Sequence, residues 1–163
     1  MFRNSLLLVI LLTLPCRANL GDSVAQCVAR YGKPVHFTEA TDKVPFGTLI
    51  FTAAGYGLVV FLTGTTEVGA RVSKLDNSAF SATDLQNIMA ADTGGSAWTS
   101  IESQDPSCLR WTRADHATAL YDKDKHVLIF TSEQMSKDLK AAEARNSAAP
   151  AATNSLQPAV KAP

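Results

Sequence analysis

The spacing of apolar residues along this chain changes from a helical period to a strand period and back again. In the first helical stretch, four apolar residues occupy the i, i+3, i+4 and i+7 positions that form one face of a helix. These residues are Val24, Cys27, Val28 and Tyr31. Ser23 and Gln26 match a capping box at its start, and Gly32 followed by Pro34 is typical of its end. We therefore predict a first helix between Ser23 and Gly32.

Apolar runs of strand length follow this helix. Residues 35–38 form a short run, and residues 48–53 and 58–63 flank a tetrapeptide with two glycines that permits a tight reversal. The next stretch alternates, which places Val68 on a predicted buried face and Glu67 on a predicted wet face. This pattern predicts an antiparallel β-meander.

A second helix is predicted from Ser81, whose capping partner is Asp84, to the glycine pair at residues 94–95. Its apolar stripe consists of Leu85, Ile88 and Met89. A polar loop separates this helix from the next strand, predicted at residues 109–113.

A C-terminal antiparallel hairpin is predicted from strands at residues 118–121 and 126–130, and its turn would place Tyr121 opposite His126. A short helix at residues 133–144, capped by Thr131, closes the pattern.

These elements predict one α+β domain over residues 19–140: an N-terminal helix, an antiparallel β-meander, a second helix and a C-terminal antiparallel hairpin. No internal sequence repeat divides the domain. From residue 141 onward the chain is rich in Ala, Pro, Ser and Asn and has few apolar anchors. We therefore predict a disordered tail at residues 141–163.

Residues 1–18 have the pattern of a cleavable export signal. Arg3 precedes an apolar run at residues 6–14, and Cys16 and Ala18 are the small residues of a cleavage site. The run is too short for a membrane anchor, which needs roughly 20 residues. We predict cleavage after Ala18, no transmembrane segment thereafter, and a periplasmic or secreted location, bacterial rather than eukaryotic.

The charge balance argues against nucleic acid as a partner. The chain has 15 Lys and Arg against 15 Asp and Glu, and loss of Arg3 and Arg17 with the leader leaves 13 against 15, a net charge of −2. Nucleic acids and anionic membranes are bound by basic surfaces. We therefore expect neither as a partner.

The predicted mature chain retains two cysteines, Cys27 and Cys108. In an oxidising compartment, an even number of cysteines favours a disulfide. We predict a Cys27–Cys108 bridge; the alternative is two buried free thiols, because cysteine packs well as a small hydrophobic residue.

No motif for catalysis, a cofactor or a metal is found. His36, His116 and His126 are too widely spaced in the predicted hairpin to share a metal ion. A Gly-x-Ser-x-Gly elbow and a Cys-x-x-Cys pair do not occur. We therefore assign no catalytic, cofactor-binding or metal residues and no cofactor.

Three aromatic residues are the candidate binding surface: Trp98, Trp111 and Tyr121. The alternative is that they fill the core, as large aromatic side chains commonly do in a domain of this size.

Two segments resemble known protein groups. Residues 21–34, with a capped helix that ends Gly-Lys-Pro, resemble the first helix of BamE/SmpA-type periplasmic modules, which share a fold with β-lactamase-inhibitor domains. The Cys-x-Ala-Arg-Tyr-Gly-x-Pro motif at residues 27–34 and the later segment from Trp111 to Tyr121 resemble small secreted proteins of verrucomicrobial or planctomycete type. His116 stands where that group has a turn glycine. The resemblance implies an exported domain and brings no activity with it.

The favoured hypothesis is an exported, non-enzymatic binding or assembly domain whose partner is a protein or peptide of the cell envelope. One alternative is a small periplasmic hydrolase or thiol enzyme whose site is assembled only in three dimensions, with His116 or His36 within hydrogen-bond reach of Cys27, a serine or an aspartate. A second alternative is a structural envelope protein without a specific ligand.

Overall fold

The chain forms one eight-stranded antiparallel sheet with helices packed on it, which confirms the predicted α+β class. This computed structural model describes residues 19–42 and 44–148. The predicted leader at residues 1–18 and the tail residues 149–163 lie outside the described part of the chain. Within the described ranges, no helix has both the length and the apolar character that a membrane crossing requires.

The described residues contain three helices and eight strands. The helices are α1 (Val24–Tyr31), α2 (Ala82–Ala91) and α3 (Glu133–Ala148). The strands are β1 (His36–Thr38), β2 (Gly47–Ala53), β3 (Tyr56–Thr63), β4 (Thr66–Lys74), β5 (Thr99–Ile101), β6 (Cys108–Thr112), β7 (Thr118–Asp122) and β8 (Val127–Thr131). Their order in the sheet is β1-β2-β3-β4-β8-β7-β6-β5.

The second half of the fold repeats the order of helices and strands found in the first half. Helix α1 is followed by the meander β1–β4, and α2 is followed by the meander β5–β8. The two meanders join through their last strands, since β4 and β8 pair antiparallel from Gly69 opposite Thr131 to Val72 opposite Leu128. The first strands, β1 and β5, are therefore the two outer edges. The sequence carries no matching repeat, and we did not predict this symmetry.

Both predicted capping boxes are present. The Ser23 hydroxyl accepts the Gln26 backbone N–H at 3.3 Å, and the Gln26 side chain accepts the Ser23 backbone N–H at 2.8 Å. Ser81 and Asp84 form the same pair of bonds at 3.1 and 2.8 Å. Gly32 ends α1 with a φ of 84°, in the left-handed region that glycine favours. These short-range signals place α1 and the start of α2 where the sequence predicts them. Helix α2 ends earlier than predicted, at Ala91 rather than at the glycine pair at residues 94–95.

Helices α1 and α2 cover one face of the sheet, and α3 packs on the other. The larger core lies under α1 and α2, which contribute the buried residues Cys27, Tyr31, Leu85, Ile88 and Met89. A smaller cluster joins Met135 of α3 to Phe46 and Val68, with Phe61 at its side.

A β-bulge in β4 turns Glu67 towards the larger core. Strands β3 and β4 pair Phe61 with Gly69 and then Leu62 with Glu67, so Val68 is the extra residue. Val68 consequently packs in the α3 cluster, and Glu67 is 1% exposed on the α1 side. The prediction of Glu67 on a wet face is wrong, because an inserted residue reverses the alternation of side chains along a strand.

The last hairpin has a different register from the predicted one. Strands β7 and β8 pair Tyr121 with Leu128, not with His126. The Asp122 carboxylate accepts two backbone N–H groups of the following loop at 3.1 and 3.0 Å. His126 closes the loop with a φ of 54°. These features move the turn one residue along the chain, because the aspartate side chain organises the residues after it.

Helix α3 starts as predicted but differs at its cap and its end. The Ser132 hydroxyl, not that of Thr131, accepts the Met135 backbone N–H at 3.1 Å. The helix continues to Ala148, so residues 141–148, which we assigned to the disordered tail, are helical. Their alanine-rich composition favours a helix even without an apolar face.

Candidate functional site

Trp98 and Trp111 line an apolar groove between α2 and the outer strands of the second meander. Leu109 and Trp111 project from β6, and Leu85 and Met89 of α2 form the opposite wall. The groove has a volume of about 450 Å³, and Leu109 at its floor is 37% exposed. It is therefore a concave apolar surface that is open to solvent.

The strand next to this groove is β5, an edge of the sheet. All three of its residues are exposed, and no described strand pairs with its outer side. Ser100 lies opposite Trp111, so both side chains project to the groove face. Thr99 and Ile101 project to the other face, because side chains alternate along a strand. Ser100 therefore lies between Trp111 and the open edge of the sheet, on the groove face.

Tyr121 is not part of this surface. It is 4% exposed, its hydroxyl accepts the Phe80 backbone N–H at 3.1 Å, and its ring packs edge-on against the Phe80 ring with centroids 5.5 Å apart. The prediction of one binding surface formed by Trp98, Trp111 and Tyr121 is therefore wrong for Tyr121, which fills the core.

Arg113, directly after β6, connects the groove to two acidic side chains, the buried Asp92 and the exposed Asp115. Its Nη1 donates to the carboxylate and to the backbone carbonyl of Asp92, each at 3.1 Å. Its Nε and Nη2 donate to Asp115 at 2.9 and 2.7 Å. The guanidinium also lies 4.9 Å from the centre of the Trp98 ring, whose indole N–H donates to the Asp92 carbonyl. This network fixes the orientation of Trp98 at the groove.

A second cluster of polar side chains lies beneath α1, at the start of β4. The Cys27 thiol donates to Glu67 Oε2 at 3.4 Å. Asp22 precedes α1, forms an ion pair with Arg30 and accepts the Asn19 side-chain amide at 3.3 Å. One candidate ligand atom from each of Asp22, Cys27 and Glu67 lies within 4.8 Å of the other two. The structure therefore brings together three potential metal-ligating groups from two separate segments.

Burial dominates the acid–base properties of this cluster. Desolvation raises the pKa of Glu67 to about 8, and it raises the pKa of the Cys27 thiol to about 12 with help from the adjacent Glu67. At neutral pH the thiol therefore keeps its proton, which makes Cys27 a poor nucleophile. Nearby, desolvation also raises the pKa of Asp92 to about 6, against the opposing effect of Arg113.

The predicted disulfide is not formed. Cys27 and Cys108 are both free, Cys27 in the core and Cys108 half-buried at the start of β6. Cys27 faces Glu67 under α1, whereas Cys108 lies beside Asp105, with its sulfur 3.7 Å from Oδ2. The two sulfurs thus have different partners in different halves of the fold, and the prediction of a bridge is wrong for this structure.

The three histidines lie apart from Cys27. His36 is exposed on β1 and interacts with the Thr38 hydroxyl at 3.2 Å. His116 is exposed in the β6–β7 turn with a φ of 64°, in the left-handed region that glycine favours. His126 Nδ1 lies 2.7 Å from the Asn77 carbonyl oxygen. None of these contacts joins a histidine to Cys27, a serine or an aspartate, which the enzyme hypothesis requires.

The residues with the most unusual environments were missed from sequence. Glu67, Asp92 and Arg113 are buried charged residues. A single charged residue between apolar strand positions, as in Thr-Glu-Val-Gly at residues 66–69, was the available signal for Glu67. We interpreted it as the wet face of an alternating strand, which is the commoner situation.

Two solved structures are similar to part of this chain. One is a cysteine-rich secretory protein from Staphylococcus aureus subsp. aureus Mu50, with 8% identity and a TM-score of 0.40 over 74% of this chain and 47% of that chain. The other is an extracellular protein containing an SCP domain from Bacillus anthracis str. Ames, with 9% identity and a TM-score of 0.38 over 71% of this chain and 44% of that chain. This chain therefore spans less than half the length of either structure. No protein-family model and no curated protein matches it.

Proposed function

We propose that this protein binds an extended segment of a partner protein, which adds as a strand to the outer side of β5 and inserts an apolar side chain into the groove lined by Trp98 and Trp111. One observation carries the proposal: Ser100, in the middle of the edge strand, lies directly opposite Trp111. Peptides that extend a sheet gain affinity from main-chain hydrogen bonds and specificity from pockets for alternate side chains.

The geometry of the edge defines which peptide residue enters the groove. A residue paired opposite Ser100 projects from the same face as Ser100 and Trp111, whereas its two neighbours project from the face of Thr99 and Ile101. The groove volume of about 450 Å³ is in the range of small-ligand pockets, which accommodates a large aromatic or branched aliphatic side chain. We therefore expect ligands with one bulky apolar residue flanked by more polar neighbours.

The proposed setting is the cell envelope or the exterior of a bacterium, and the proposed role is non-enzymatic. The export pattern of residues 1–18 supports this setting. The resemblance of residues 21–34 to BamE/SmpA-type periplasmic modules is in keeping with it. A peptide-binding role requires only the edge and the groove.

The test is selection of a random peptide library displayed on phage against the immobilised protein, followed by affinity measurements on the synthetic peptides. Ser100→Trp places a large side chain between the edge and the groove and should weaken binding by about tenfold or more. Thr99→Trp is the matched control, because it adds the same side chain one residue away on the opposite face of the sheet.

Enrichment of peptides with a bulky apolar residue, together with loss of binding in Ser100→Trp and retention in Thr99→Trp, supports the proposal. No enrichment, or equal binding by both variants, overturns it. Thermal unfolding of both variants establishes that they are folded.

A further inference from the structure

Asp22, Cys27 and Glu67 form a compact cluster of potential metal-ligating side chains away from the groove. Their relative exposures are 5%, 0% and 1%. The cluster is held by the backbone as well, because the Glu67 N–H donates to the Asp22 carbonyl at 2.8 Å. The three donors are therefore fixed by the junction of α1 and β4 rather than by flexible surface loops.

The cluster contains an acceptor that is buried without a partner. Glu67 Oε2 accepts the Cys27 thiol, but Oε1 has no hydrogen-bond partner among the described residues. A buried polar atom left unsatisfied costs about 1–3 kcal/mol. Such an atom inside a group of potential ligands points to a missing partner, and a bound cation would supply it.

An open cleft lies beside this cluster. It has a volume of about 440 Å³ and is lined by Glu67 together with Gly21, Thr66 and the Arg113–Asp115 pair. Because Glu67 is 1% exposed, entry of an ion from this cleft requires a local movement of its lining side chains.

We propose that Asp22, Cys27 and Glu67 bind one divalent transition-metal ion of the zinc type. Thiolate and carboxylate groups are both zinc ligands, and the thiolate disfavours magnesium and calcium, which prefer oxygen ligands. On binding, the ion displaces the proton of the Cys27 thiol and that of the Glu67 carboxyl group, and both protons pass to solvent. Water from the cleft occupies the fourth tetrahedral position.

The distance between Cys27 and Glu67 and the charge balance fit this assignment. Two ligands on one tetrahedral zinc ion lie roughly 3.5 Å apart, and the Cys27 sulfur lies 3.4 Å from Glu67 Oε2. A thiolate and two carboxylates balance the divalent ion and the Arg30 guanidinium, which pairs with Asp22. Arg30 thus orients a ligand from outside the coordination shell, as outer partners of metal sites commonly do.

The test is titration of the reduced, tag-free, full-length protein with Co²⁺, followed by competition with Zn²⁺. A thiolate ligand gives Co²⁺ a sulfur-to-metal absorption band that histidine and carboxylate ligands do not produce. We expect one equivalent of Co²⁺ with this band, displaced by Zn²⁺. Cys27→Ser should abolish the band, and Glu67→Gln should weaken binding by about 100-fold.

Cys108→Ser is the matched control, because it removes the other described free thiol and should leave the titration unchanged. Loss of the band in Cys108→Ser, its persistence in Cys27→Ser, or no band in the wild-type protein overturns the proposal. If a cluster variant fails to fold, X-ray absorption of the zinc-loaded wild-type protein decides: one sulfur ligand and no imidazole support the site, and any other first shell overturns it.

Discussion

Arg113 and Asp92 form an ion pair of 3.1 Å in which both side chains are almost fully buried, at 2% and 0% exposure. A buried pair of this kind is weak evidence for a gain in stability, but loss of one partner strands the other charge in the core. Because Arg113 also lies against Trp98, the same pair supports the wall of the groove.

Arg113→Met should therefore destabilise the protein by about 3–5 kcal/mol, since it leaves the Asp92 carboxylate uncompensated. Arg110→Met is the control, because Arg110 lies on the same strand and is exposed. Urea unfolding measures the free energy of unfolding of both variants. If the stranded Asp92 charge is the cause, the double variant Asp92→Leu with Arg113→Met should be more stable than Arg113→Met alone. A double variant whose loss of stability equals the sum of the two single losses would contradict this explanation.

The raised pKa of Glu67 predicts that stability declines with rising pH when a chelator is present. The folded protein holds a proton on Glu67 up to about pH 8, whereas the unfolded chain releases it near the ordinary pKa of 4.5. Stability should therefore fall by a few kcal/mol across this interval, because the folded state binds more protons than the unfolded state.

Glu67→Gln should remove the decline between about pH 6 and pH 8 but retain the decline below pH 6 that the raised pKa of Asp92 causes. Denaturant unfolding at several pH values measures this difference. If the free energy of unfolding of the wild-type protein and of Glu67→Gln depended on pH in the same way, the pKa of Glu67 would be unshifted in the folded protein.

Cys27 and Cys108 should differ strongly in reactivity. Cys27 is 0% exposed and burial raises its pKa to about 12, whereas Cys108 is half-buried at the start of β6. Alkylation of the native, reduced protein followed by peptide mapping should label Cys108 and spare Cys27 until the chain is unfolded. A Cys27–Cys108 peptide in the non-reduced native protein would contradict the structure.

Gly69→Ala should destabilise the centre of the sheet. A Cβ atom at this position would lie 2.9 Å from the Phe130 carbonyl oxygen and would also overlap the Met135 sulfur. The methionine can move, but the backbone oxygen is held by pairing of β4 with β8, so we expect a loss of about 1–3 kcal/mol.

Gly57→Ala is the control for this substitution, since the nearest atom to its added Cβ is 3.5 Å away, an ordinary contact. Thermal unfolding compares the two. If Met135→Ala fully restores the stability of Gly69→Ala, the side chain rather than the backbone oxygen is the source of the overlap.

Local signals in the sequence predicted the helices well, and long-range pairing accounts for most of what was missed. Ser23 and Ser81 cap their helices through bonds to residues three positions away, so the pattern is visible in any short window. The inward position of Glu67 depends instead on a bulge in the pairing of β3 with β4. No short window contains both strands.

The candidate site was predicted in part for the same reason. Trp98 and Trp111 line the groove, and their role as a binding surface stays a prediction, whereas Tyr121 lies in the core because it packs against Phe80, which is distant in the chain. The Asp22–Cys27–Glu67 cluster joins residues about forty positions apart through tertiary contact, and their spacing along the chain matches no common ligand motif.

The junction of β4 with β8 has a consequence for the order of folding. Each meander consists of sequence-local hairpins, which can form early, whereas β4 must wait for residues 127–131 at the far end of the domain. A chain that emerges stepwise from its N-terminus therefore exposes the edge of β4 that faces away from β3 until β8 arrives. Truncation before residue 127 would make that exposure permanent and turn β4 into a nucleus for self-association.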